Sequence, residues 1–150
     1  MKRLFLTLAA ALLPFPALAQ MPAMEDAKPE CPAVIHAPAP FAAIAEPHPA
    51  NAAHPGDAVA VSLSGQPGAF LGEVHLIIAK AGTYRVALDA PAWIDMIEDG
   101  KPIDSSAHTR GPDCSGIRKI VDFSLKPGDH VLRLSKGALP TIAVLVVPAS

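Results

Sequence analysis

Residues 83–89 read TYRVALD, and this stretch decides the fold class. Tyr84, Val86 and Leu88 point one way, while Thr83, Arg85 and Asp89 point the other. Alternation with a period of two is the mark of a strand with one buried face. Immediately upstream, Lys80-Ala81-Gly82 predicts a turn, and Gly72 to Ala79 (GEVHLIIA) predicts the preceding strand. Ala58 to Leu63 predicts another. Downstream, Ala92 to Ile97 predicts a strand that ends at Glu98-Asp99-Gly100. An Asp-Gly pair supplies the positive φ that tight hairpins need, so Pro102 to Ser105 is expected to return along it.

The same texture continues to the C-terminus. Ser106 to Ser115 is a polar loop containing Gly111-Pro112. Ile117 to Leu125 places Val121, Phe123 and Leu125 on one face. Pro127-Gly128-Asp129 turns the chain, and Val131 to Ser135 follows with Leu132 and Leu134 inward. Thr141 to Val147 is almost wholly apolar, as expected of a strand covered on both faces or lying at an interface. No amphipathic helix of three turns interrupts the pattern. The expected fold is all-β: a single antiparallel β-sandwich, jelly-roll-like, with about seven or eight strands over residues 56–150.

The N-terminus has a different character. Lys2 and Arg3 precede a continuous apolar run from Leu4 to Leu13, broken by Pro14 and Pro16. Ala17-Leu18-Ala19 fits the small-x-small rule for signal cleavage, so residues 1–19 are expected to be a secretory signal removed after Ala19. The run is shorter than the roughly 20 apolar residues that span a bilayer. A periplasmic or secreted location follows. Residues 20–55 are a Pro- and Ala-rich leader, expected to be extended, with one short helical turn over Phe41 to Ala45.

Loss of Lys2 and Arg3 leaves ten basic against fourteen acidic residues, a net charge near −4. That excess argues against nucleic acid and against an anionic membrane surface as partners. The two cysteines, Cys31 and Cys114, are expected to pair in an oxidising compartment and to tie the leader to the body. Closing a loop of this size contributes about 4 to 5 kcal/mol by chain-entropy arithmetic, as an upper figure.

The segments AGTYRVAL, WIDMIEDGKPI and IRKIVDFSLKPGDHVLRLS resemble the bacterial pre-peptidase C-terminal domain, a secreted jelly-roll sandwich attached to exported enzymes. Gly82 to Leu88, Ala92 to Asp95 and Gly111 to Phe123 also resemble short secreted bacterial chains labelled homogentisate 1,2-dioxygenase. That second resemblance implies a ferrous (Fe2+) centre of two histidines and a glutamate. The family's His-to-Glu spacing has no match here, so no catalytic residue is carried over.

Six histidines still raise the metal question: His36, His48, His54, His75, His108 and His130. Glu73 and His75 lie two apart on one strand and so share a face, with His48 or His54 able to add a third ligand from the leader. No H-x-H or H-x-x-x-H spacing occurs. Asp95, Asp99, Asp104 and Asp113 lack the run of oxygen ligands that calcium favours. Ser105, Ser106, His108 and Asp113 lie too close together in one loop for a catalytic triad, and no G-x-S-x-G is present. Trp93 is expected to pack in the core or at a sheet edge, because sugar-binding sandwiches display several aromatic platforms and this chain is aromatic-poor.

The most suggestive segment is the 105–115 loop. His108, Arg110 and Asp113, with Arg118 just beyond, can contact a ligand or partner, and the two arginines can grip a carboxylate or phosphate. The expected function is a non-enzymatic exported accessory module that binds a partner protein or small ligand through this loop, with no cofactor. The alternatives are an iron-dependent ring-cleaving dioxygenase and a purely structural envelope component.

Overall fold

The computed structural model describes Cys31 and residues 37–149. The expected signal at 1–19, the first part of the leader and His36 lie outside the described residues. Among the described residues, eleven strands build two stacked sheets. They are β1 (His48–Pro49), β2 (Ala52–Ala53), β3 (Ala58–Ser62), β4 (Phe70–Ile78), β5 (Gly82–Leu88) and β6 (Trp93–Glu98). β7 (Lys101–Ile103), β8 (Ala107–Thr109), β9 (Lys119–Leu125), β10 (Gly128–Gly137) and β11 (Thr141–Pro148) complete the set. The six-stranded sheet has the order β1-β3-β11-β5-β9-β8, and the five-stranded sheet β2-β4-β10-β6-β7.

The β-sandwich is as the alternation predicts, and eight of the strands coincide with the expected ones. Three additions raise the count to eleven: β1, β2 and β8. β1 pairs with β3, and β2 with β4, both in parallel, so the sheets are mixed rather than purely antiparallel. β8 is a short edge strand cut from the expected polar loop, paired with β9.

The main core lies between the sheets. Val59, Val61, Tyr84, Val86, Leu88, Val121, Phe123, Leu125, Ile142, Val144 and Val146 face Val74, Leu76, Ile78, Ile94, Met96, Leu132 and Leu134. Tyr84 is buried with its hydroxyl donating to the Lys80 carbonyl at 2.7 Å, which satisfies the one polar atom it brings inside.

A second core covers the outer face of the six-stranded sheet. Ala37, Phe41 and Ile44 from the leader pack on Ala58, Ala87, Ile117, Ile120, Ala143, Leu145 and Val147. The expected helical turn is present as a 3₁₀ turn over Ala42–Ala45, with Ile44 buried. This layer explains the apolar run of β11: residues 142–147 are all buried, alternately against the inner core and beneath the leader. The Cys31–Cys114 disulfide, with Cα atoms 5.2 Å apart, ties this covering segment to the loop before β9.

The hairpin between β6 and β7 turns through Asp99 and Gly100, both with positive φ (50° and 75°), as the Asp-Gly pair predicts.

Candidate functional site

The loop between β8 and β9 is held by its own side chains. Ser115 is 2% exposed; its hydroxyl donates to the Pro112 carbonyl at 2.6 Å and accepts from the Ile117 amide at 3.2 Å. Ile117 plugs into the outer core, and the Arg118 amide donates to the Leu88 carbonyl at 2.8 Å. Gly111 is required for this closure, because a Cβ there would overlap both the side chain and the backbone carbonyl of Ile117. With the disulfide at Cys114, the loop is a braced platform rather than a free connection.

Two cavities flank that platform. The first, about 290 Å³, is lined by Cys31, Asp89, Arg110, Asp113, Cys114 and Arg118 among others. Its charges are mixed, two arginines with two aspartates. Asp89 accepts from the Ala143 amide at 2.8 Å, and desolvation by burial raises its carboxyl above the ordinary value despite that bond. The second cavity, about 410 Å³, is lined by Pro91, Ala92, His108, Thr109, Arg110, Arg118 and Lys119. Among the described residues its ionisable lining is cationic apart from His108, with no carboxylate.

The structure therefore brings Arg110 and Arg118 together on both cavities. Asp113 reaches only the first and His108 only the second. Among the described residues neither guanidinium has an ion-pair partner, and Asp122, the aspartate nearest Arg118 in sequence on β9, pairs with Arg85 at 3.6 Å.

His108 and Lys119 also line a neighbouring cleft of about 170 Å³ with Trp93, Ile94, Ser105 and Val121. This cleft opens between the two sheets at their shared edge, with β8 on one side and β6 on the other. Of the two expected places for Trp93, core or sheet edge, it takes the edge, where it is 56% exposed. Strand parity carries the signal that composition hid. Ile94 and Met96 are buried, so Trp93 and Asp95 share the outward face, and the indole N–H donates to Asp95 at 3.1 Å. Two ammonium groups lie near the ring, Lys119 at 5.4 Å and Lys136 at 5.6 Å from its centroid.

The histidine and acid pair on β4 is engaged elsewhere. Glu73 and His75 share the outer face of the five-stranded sheet as expected, but each faces a partner on β10: Glu73 accepts from Arg133 at 2.7 Å and His75 meets Asp129 at 3.1 Å. His54 sits 3.5 Å from Asp57, and His48 is exposed on β1. Among the described residues no three His, Cys, Asp or Glu side chains converge as a metal-ligand set.

No helix among the described residues is long and apolar enough to cross a membrane. No protein-family model matches the chain, and no curated protein matches it significantly.

Proposed function

We propose that the chain is an exported, non-enzymatic binding module that takes up an anionic ligand, carrying a carboxylate or phosphate, through the cavity beside the 105–115 loop. What supports this is the cavity of about 410 Å³, where Arg110, Arg118 and Lys119 gather with no carboxylate among the described residues. Guanidinium groups that lack an internal partner are suited to bidentate contact with such oxygens. Export is supported by the disulfide, since such bonds persist in oxidising compartments. Ser115, Ile117 and the disulfide hold the loop, so little ordering is needed on binding, which favours affinity.

A thermal-shift screen of small carboxylates and phosphates tests the proposal. At least one class is expected to raise the melting temperature at low ionic strength. In the Arg110→Ala/Arg118→Ala double variant the effect is expected to vanish, corresponding to a loss of about 100-fold in affinity for two charge-assisted contacts. Equal stabilisation of the double variant would remove the loop from the function.

A further inference from the structure

The anion cavity does not end at the arginines. His108 and Lys119 line both it and the cleft at Trp93, so the two cavities adjoin along the sheet edge, and we treat them as one groove. One end presents Arg110 and Arg118, and the other presents an exposed indole with Lys119 and Lys136 over its ring and Asp95 on its N–H. Lys136 reaches the ring from a β-bulge in β10, where the register shifts between Leu134 and Gly137. Its own φ is +51°, a left-handed conformation that a lysine adopts at a cost. Bulges re-aim side chains, and strained residues concentrate where geometry is functional. A lysine held this way beside an exposed tryptophan is a built arrangement.

We infer that the groove binds an acidic oligosaccharide of uronic-acid type, one sugar ring lying against Trp93 and carboxylates at both the lysine and the arginine ends. This deepens the anion-binding function proposed above and rests on it. Three features select this class. Cations stand at both ends, so a ligand with a single carboxylate leaves one end unpaired. The exposed indole at the lysine end offers an apolar surface beside its ammonium groups, which inorganic anions do not use. The groove is open and extended, which suits a chain of rings. Charge along the groove takes the place of the further aromatic platforms that neutral-sugar binders display. The local excess of cations stands against an acidic chain overall, so attraction is confined to this edge.

Trp93 is the only tryptophan, so indole emission reports on this end of the groove alone. The disulfide-bonded protein is titrated with a short oligogalacturonate, with its methyl ester, which keeps the rings and removes the charges, and with benzoate. Oligogalacturonate is expected to bind and to shift the indole emission, the methyl ester to do neither, and benzoate to bind more weakly at the arginines without shifting the emission. By calorimetry, Trp93→Ala is expected to weaken oligogalacturonate about tenfold, and Arg110→Ala/Arg118→Ala to abolish binding. Binding that needs the arginines but leaves emission and the Trp93→Ala affinity unchanged overturns the ring contact and leaves the anion-binding function standing. So does benzoate binding by a protein that ignores oligogalacturonate. Equal binding of the methyl ester overturns the charge requirement. If no anion of any kind binds, both proposals fall together.

Discussion

His130 Nδ1 and Glu98 Oε1 face each other at 4.0 Å, and neither atom has a hydrogen-bond partner among the described residues. His130 is 2% exposed, on β10. Its Nε2 lies 2.8 Å from the Lys126 carbonyl, which can only accept, so Nε2 carries the proton. In the neutral ring, Nδ1 then presents a lone pair to a carboxylate oxygen, two acceptors with no hydrogen between them. Leaving such groups unpaired costs about 1 to 3 kcal/mol.

Glu98→Gln supplies the missing donor. The amide can give a hydrogen to Nδ1, and what is lost is the solvent-facing contact with Lys126, worth about 0 to 1 kcal/mol. The variant is expected to be more stable than the parent at pH 7 by about 1 kcal/mol, read as a higher urea midpoint. A lower midpoint would show that the carboxylate is the better neighbour for His130.

Asp89 carries a pH signature. Burial raises its carboxyl above 3.8, partly offset by the Ala143 amide and by its own backbone amide. The folded state therefore holds this proton more tightly than the unfolded chain does. The associated stability is fully present below the unfolded value and is lost as pH rises through the folded one. Asp89→Asn keeps an oxygen for the Ala143 amide and removes the desolvated charge. It is expected to raise the denaturation midpoint at pH 7 and to leave it unchanged at pH 3. Equal gains at both pH values would assign the effect to packing.

Gly111→Ala introduces a methyl where Ile117 already stands. The loop must shift, and overpacking of this kind costs about 1 to 3 kcal/mol. Because Ile117 precedes Arg118, the shift also moves one wall of the anion cavity. Anion binding is expected to fall more than melting temperature does, compared by titration and calorimetry on one preparation. Unchanged binding would mean that the loop's exact path is immaterial to the site.

Phe41→Ala tests the covering layer. Phe41 is 6% exposed in the outer core, and truncating a buried phenylalanine costs about 3 to 5 kcal/mol. The variant is expected to bind an apolar-surface dye that the parent does not, since Leu145 and Val147 lie under that ring layer. A change below about 0.5 kcal/mol, the usual range for surface sites, would show that the leader rests on the sheet without contributing to it.

Most of the sandwich was legible because each strand writes its own faces. Tyr84, Val86 and Leu88 announce their side by spacing alone, and so do Val121, Phe123 and Leu125. The apolar run of β11 announced burial on two faces, though not what covers the second one. That cover comes from Phe41 and Ile44, about a hundred residues away in the chain, and no local period encodes such a contact. β1 and β2 escaped notice because two residues beside prolines carry no alternation, and their parallel pairing with β3 and β4 is not a hairpin product. β8 escaped because Ala107, His108 and Thr109 are all exposed, so no apolar face marks the strand. Of the site, the proximity of Arg110 to Arg118 was legible from the loop between them. The share of Trp93 and Lys136 was not, because it depends on a bulge and on two sheets meeting at an edge. Composition left core and edge both open for Trp93, whereas its parity with Asp95 points outward.

The outer core joins residues near both ends of the polypeptide. Phe41 and Ile44 close over Leu145 and Val147, and the span between them is nearly the whole body. Contacts of that sequence separation carry a large loop-closure cost, so this part of the layer depends on β11 being in place. Without that flap the sheet would carry a bare greasy back, and the crosslink between Cys31 and Cys114 works as a latch that keeps the flap within reach of it.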